Sequence, residues 1–264
     1  MIGDKWMISP DVHFGIACAG KGPLEFGASP IPGLTTVELP FGAWAGTLAS
    51  APALLRGFSD LCIRLGEDFV GPAEGRFAEG GPAATGREAA YVKAVARCRR
   101  LMEKPWAKAA ITALLIEFPV YCPYGTAARW HLDRVTKDLS GLPLAVAFYG
   151  ADWYSARVIE GLKARGIALC LLDMPKKLGS SPSIDVVTSS LVYLKLNDRT
   201  DLLSWLPRLE ALAAQAAQLR VIFSVGGDNG EVAAAASAAL MAELWAGLSR
   251  GASSKRADFS AGGP

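Results

Sequence analysis

Short apolar runs, each about one β-strand long and closed by turn-forming or polar residues, recur along the chain. They are FGIACAG (14–20), TTVELP (35–40), DLCIRLG (60–66), ALLIEFP (113–119), LAVAFYG (144–150), IALCLLD (167–173), LVYLKLN (191–197) and RVIFSVGG (220–227). Most are rich in Val, Ile, Leu or aromatics, the pattern of strands buried on both faces. Helical stretches separate many of them: AWAGTLASAPALLRGF after the second run, REAAYVKAVARCRRLMEK after the third, YGTAARWHLDRVTKDLSG after the fourth and DWYSARVIEGLKARG after the fifth. DLLSWLPRLEALAAQAAQ and NGEVAAAASAALMAELWAGL follow the last two. Gly141 and Gly166 read as helix stops and Asp152 as an N-cap.

Strand–helix alternation implies parallel pairing through right-handed crossovers. Eight repeats in 264 residues predict an α/β fold, a single (β/α)₈ TIM-type barrel. An open doubly wound sheet would place GxGxxG after its first strand, and ACAGKGPLEFG lacks that spacing. Segments 21–33 and 174–188 are rich in Gly, Pro and Ser, so the barrel is expected to be irregular after strands 1 and 6. The expected organisation is an N-terminal arm (1–13), the barrel (14–249) and a disordered C-terminal tail (250–264) without apolar periodicity. Residues 71–86, GPAEGRFAEGGPAATG, read as either a lid or an ordinary loop.

Polar residues inside the apolar runs carry the candidate chemistry. Sites in these barrels lie at the C-terminal ends of the strands. Glu38, Arg64, Glu117, Asp173 and Lys195 fall near those ends, with Asn197 on the same strand face as Lys195 and Tyr193. Two readings follow. The charges form a self-satisfied buried network, or Lys195, Arg64, Glu38, Asn197 and Tyr149 bind a small molecule while Glu117 or Asp173 acts as acid or base.

Other chemistries fit less well. A Schiff-base role for Lys195 conflicts with neighbouring carboxylates, which hold a lysine protonated. Zinc is disfavoured because only His13, in the N-terminal arm, and His131, in a helix, are present. Mg²⁺ or Mn²⁺ on Glu38, Glu117 and Asp173 would suit hard oxygen ligands, but Lys195 and Arg64 compete for them. No metal or cofactor is therefore expected. SVGGDNG (224–230) reads as a Gly-rich turn with Asp228 or Asn229 as N-cap, since Asp228 would repel a phosphate.

Composition narrows the partners. With 51% hydrophobic residues, 20% charged residues and a net charge of +2, the chain should fold around a sizeable core. Nothing global points to nucleic acid or an acidic membrane surface, and Arg97, Arg99 and Arg100 read as a solvated helix face. Five scattered cysteines without CxxC spacing suggest reduced thiols. No secretory signal opens the sequence, and no apolar run reaches the roughly 18 residues of a membrane span. The expectation is a cytoplasmic protein whose partner is a small-molecule ligand or another protein.

Several of these motifs, in order and spacing, resemble the YecE-like family (domain of unknown function 72), best from 113 to 248 and more faintly from 14 to 70. TVELP is similar to the family's TVEIN, IEFPV to FQLPP, DMP to DxP and YLKLND to YVRLHG. The resemblance implies a TIM barrel and carries over Glu38, Asp173, Pro175 and, after the family's EFRHPS, Trp153. It places Glu117 at a glutamine position, Lys195 at an arginine and Asn197 at a histidine. The departures are specific. Ala147, Tyr149 and Gly150 stand where the family has glutamate, arginine and histidine, and Ser224 and Val225 replace two asparagines. GIACAG lacks the tryptophan of GTSGWS. Alanine cannot exchange a proton, so the expectation is a diverged member, non-catalytic or weakly active, that binds a small molecule or a partner. The alternative is a metal-independent enzyme of hydrolase or lyase/isomerase type, acting on an anionic or sugar-like molecule through Glu117 and Asp173.

Overall fold

The computed structural model describes residues 11–17, 32–41, 58–70, 82–173, 182, 184–197, 201–224 and 230–260, with the backbone alone at 82–85, 197, 230–232 and 249–260. Eight strands close into one barrel in chain order: β1 (Asp11–Ala17), β2 (Leu34–Pro40), β3 (Asp60–Leu65), β4 (Ile111–Phe118), β5 (Leu144–Phe148), β6 (Ala168–Leu172), β7 (Leu191–Asn197) and β8 (Gln218–Ser224). Every pairing is parallel, and β8 returns to β1 from Asp11↔Gln218 to Ile16↔Phe223. Around the barrel lie α1 (Pro82–Met102), α2 (Pro105–Ala110), α3 (Thr126–Asp138), α4 (Ala156–Arg165), α5 (Leu202–Ala213) and α6 (Gly230–Ser260). The fold is a (β/α)₈ TIM barrel.

Both faces of the strands are buried, which is why the runs read as continuously apolar. The outward face packs Ile63, Leu114, Ile116, Val146, Leu194 and Val221 under the helices. On α3 the buried positions Ala128, His131, Leu132 and Val135 recur every three or four residues and form the stripe that meets this layer. α4 is set by Ser155, whose hydroxyl accepts from the Val158 N–H, and ends at Gly166 with φ 64°, where a side chain would be strained. Asp152 does not cap that helix; its carboxylate accepts the Tyr124 N–H at 2.7 Å.

The inward face differs. Ala17, Ala113, Ala145, Ala147 and Ala168 narrow its side chains, while Cys62, Cys170, Tyr193 and Ile222 fill the middle. β1 and β2 approach closely at Gly15, where a Cβ would sit 2.3 Å from the Thr36 carbonyl oxygen. Small side chains here leave room for long polar ones at both ends of the lumen.

Three sequence boundaries differ. β1 begins at Asp11, inside the expected arm, because its polar residues pair across the lumen floor. α6 continues to Ser260, into the expected tail, through the helix formers Ala252, Lys255, Arg256 and Ala257. After the helical stretch that follows the third run, a further short helix, α2, begins at Pro105 in its first turn. Residues 43–57 of the helix expected over 43–58, most of 21–33 and 174–188, residues 71–81 of the suggested lid and 225–229 of the Gly-rich turn lie outside the described residues.

Candidate functional site

Lys195 enters the lumen from β7 with only 4% of its surface exposed. Its ammonium donates to Glu38 Oε1 of β2 at 3.1 Å and to Glu117 Oε1 of β4 at 2.7 Å. The Tyr193 hydroxyl donates to Glu38 Oε2 at 2.7 Å, and the Tyr149 hydroxyl to Glu117 Oε1 at 3.0 Å. Arg64 of β3 completes the cluster more loosely, with NH1 3.7 Å from Glu38 Oε1 and Nε 3.9 Å from Glu117 Oε2. Two cations thus meet two carboxylates in a shared cluster.

Register explains the convergence. Glu38 is opposite Cys62 on β3, two residues before Arg64 on the same face. Glu117 is opposite Ala147, and Lys195 is opposite Leu172 and Ile222, both lumen residues. The same register turns Asp173 away: the inward residue of β6 is Leu172, and Asp173 accepts from the Trp205 indole N–H of α5 at 3.2 Å. The structure therefore gathers Glu38, Arg64, Glu117, Tyr149 and Lys195, and leaves Asp173 at the helix layer. Asp173 is thus offset by one residue from the lumen face that bears Glu117. Asn197 closes β7, and its side chain lies outside the description.

The electrostatics follow from burial against pairing. Burial alone would lower the lysine pKa, but Glu38 and Glu117 reverse this and hold the Lys195 ammonium above its ordinary value. Burial pushes the Glu117 carboxyl up; Lys195, with help from Arg64 and Tyr149, outweighs it and holds the pKa below the usual range. Burial, then Glu117, raises the Tyr149 hydroxyl. Burial pushes the Cys62 thiol up to about 12, so it stays a neutral thiol.

Outside this cluster a cavity of 480 Å³ opens between the ends of β3, β4 and β5. Arg64, Glu117 and Tyr149 line its inner side; Leu65, Val70, Pro119 and Val120 form an apolar wall; Glu67 and Tyr121 stand at the rim. Among the described residues that line this cavity, neither Lys195 nor Asp173 is included. Arg64, 28% exposed at its side chain, is the cluster's cation that reaches the cavity.

The rim is held by aromatic packing. Trp153 is fully buried, stacks on Phe148 at 4.5 Å with an interplanar angle of 7°, and donates its indole N–H to the Cys122 carbonyl at 2.9 Å. That bond fixes the loop bearing Val120 and Tyr121. On the other side His131 Nε2 meets the Phe69 carbonyl at 2.8 Å, anchoring the short 3₁₀ turn that carries Glu67. Sequence reasoning missed Glu67 and Tyr121 because both follow a strand end, where alternation no longer gives direction.

A second polar group closes the opposite end. His13 lies against Asp11 and Asp60, and Arg220, 1% exposed, reaches Asp11 Oδ2 at 3.2 Å, Asp60 Oδ1 at 3.6 Å and Thr112 Oγ1 at 3.4 Å. His13 is thus a barrel residue, not part of an arm. The bond to Asp60 raises its pKa against burial. Among the described residues no group of three or more His, Cys, Asp or Glu is arranged to hold a metal ion. Nor is any described helix long and apolar enough to cross a membrane.

Comparison with known proteins gives a consistent picture. The model of a family described as "Protein of unknown function DUF72" matches residues 82–258. Crystal structures titled as DUF72 family proteins share the fold. One, from Enterococcus faecalis V583, is 14% identical with a TM-score of 0.61, covering 86% of this chain and 96% of that one. Another, from Thermotoga maritima MSB8, is 15% identical with a TM-score of 0.60, covering 83% and 85%. No curated protein matches.

Proposed function

This chain belongs to the DUF72 family of TIM barrels, and from that premise we propose that it is a small-molecule-binding barrel without acid–base catalysis. The ligand enters the cavity between β3, β4 and β5 and meets Arg64 and Glu117 at its inner end. The supporting observation is the locked state of Lys195 between two carboxylates. A general acid or base works best with a pKa near the operating pH. Lys195 is displaced above its ordinary range and Glu117 below its own, so each moves away from neutrality. Ala147, beside Glu117 in register, supplies no proton-transferring group.

The cavity volume suits a small ligand, within the range of about 300–1,000 Å³ common for such sites. A cytosolic setting belongs to the same reading, supported by the free buried thiols of Cys62, Cys98, Cys122 and Cys170. A net charge of +2 supports a ligand other than nucleic acid.

The test is a thermal-shift and calorimetric screen of sugars, sugar phosphates, carboxylic acids and amino acids against wild type and Arg64→Met. A binder that stabilises wild type, loses affinity in the variant and is recovered unchanged after prolonged incubation is expected. Time-dependent conversion of that ligand by wild type, absent in Glu117→Gln, would overturn the non-catalytic reading.

A further inference from the structure

Resting on the ligand-binding reading, we infer that the cavity is built for a neutral polyhydroxylated ligand, a sugar or sugar alcohol, rather than for an anion. Three observations point there.

Glu117 divides its carboxylate between two tasks. Oε1 receives both Lys195 and Tyr149, at 2.7 and 3.0 Å, while among the described residues Oε2 has only the Arg64 Nε contact at 3.9 Å. Arg64 in turn makes ion contacts at 3.7 and 3.9 Å, both longer than a hydrogen bond. A strong acceptor and a strong donor therefore stand side by side at the cavity's inner end, separated by a gap suited to one bridging oxygen. A hydroxyl is both donor and acceptor and satisfies the two at once: it donates to Oε2 and accepts from the guanidinium. A carboxylate or phosphate oxygen accepts only and would face Oε2 with like charge.

The charge balance agrees. Among the described residues, Glu38 and Glu117 offset Lys195 and Arg64, and the rim adds Glu67, leaving one negative charge in excess. An anion would increase that excess; a neutral polyol leaves it unchanged. Glu67 supplies a further acceptor for hydroxyl donors.

The walls supply the rest. Tyr121, 46% exposed, stands at the rim with Val120, Pro119, Leu65 and Val70. Such a wall offers an apolar and aromatic face to the C–H surface of a sugar ring, while the polar end fixes its orientation.

The experiment is ligand-observed NMR with calorimetry on the full chain, using glucose, galactose and mannitol against glucose 6-phosphate, succinate, benzoate and lysine. Saturable binding of a neutral member is expected, weakened about tenfold or more in Arg64→Met and in Glu117→Gln and several-fold in Tyr121→Ala. Tyr121→Ala alters an exposed rim residue, so the prediction does not depend on a cluster variant folding. Preferential binding of the phosphate, the carboxylates or lysine overturns the polyol assignment and leaves the ligand-binding reading standing. Neutral binding unaffected by both Tyr121→Ala and Arg64→Met also overturns it. Failure of every class to bind overturns both.

Discussion

Lys195 and Glu117 lie 2.7 Å apart in the upper lumen; Glu38 and Glu117 hold the lysine pKa above its ordinary value, and Lys195 holds that of Glu117 below its own. Breaking such a buried pair by removing one partner typically costs about 3–5 kcal/mol, because the remaining charge stays unpaid for in low dielectric. Lys195→Met should show a loss of that order in denaturant unfolding at neutral pH. The deficit should narrow on acidification, since without the lysine burial raises the Glu117 carboxyl and proton uptake then favours the folded state. A deficit independent of pH would count against the ion pair as its cause.

In the unaltered protein the linkage has the opposite sign. The folded-state pKa of Glu117 is depressed, so its stabilising contribution is complete above the unfolded glutamate value of about 4.3 and is lost as pH falls through the lower folded value. Denaturation midpoints followed below about pH 5 should fall less steeply in Glu117→Gln than in wild type.

The two histidines should titrate on opposite sides of the ordinary value. His13 is raised by its bond to Asp60, whereas His131 is lowered by burial against its bond to the Phe69 carbonyl. The His13 contribution is fully present below the unfolded value of about 6.5 and is lost as pH rises through its higher folded value. Two separated imidazole resonances in a proton NMR titration check the order, and His13→Asn should remove the upper one. His13→Asn should also flatten the alkaline side of the stability profile.

Gly15→Ala should destabilise the barrel by about 1–3 kcal/mol, as overpacking does, because its Cβ would meet backbone rather than a flexible side chain 2.3 Å away. Equilibrium unfolding in urea measures it. A neutral result would mean that β1 and β2 separate freely at this point.

Asp173→Ala should leave ligand affinity unchanged and cost about 1–3 kcal/mol, since its carboxylate serves the buried Trp205 indole. Calorimetry and unfolding on the same sample separate the two effects.

The barrel was legible because buried parallel strands write near-continuous apolar runs, and each of the eight runs overlaps an observed strand. Lys195, Glu38, Arg64 and Glu117 were legible as ionisable groups at the ends of different strands. Asp173 was misplaced because strand alternation is visible in sequence whereas register is not. A one-residue offset sends it to α5 and leaves Leu172 inside. The floor group was not legible for a related reason: Asp60 and Arg220 sit near strand starts, at the end of the barrel opposite the mouth. The resemblance to glutamine at 117 and glutamate at 147 gains meaning from the same register. Glu117 and Ala147 are direct partners, so a carboxylate absent from β5 reappears on the adjoining strand.

The two polar groups also decide where the wall of this barrel gives way. The upper one links β2, β3, β4 and β7, with Tyr149 just beyond β5, through side chains, and the floor links β1, β3, β4 and β8. Among the described residues β6 contributes only Ala168, Cys170 and Leu172 to the interior, and it pairs with β5 over just Ala145↔Ala168 and Val146↔Leu169. Like β5, whose inward side chains are Ala145 and Ala147, it is a stave with no side-chain cross-brace of its own among the described residues. Breathing of the fold should start beside it, with amides of the β5–β6 seam exchanging with solvent sooner than those of the β3–β4 and β7–β8 seams.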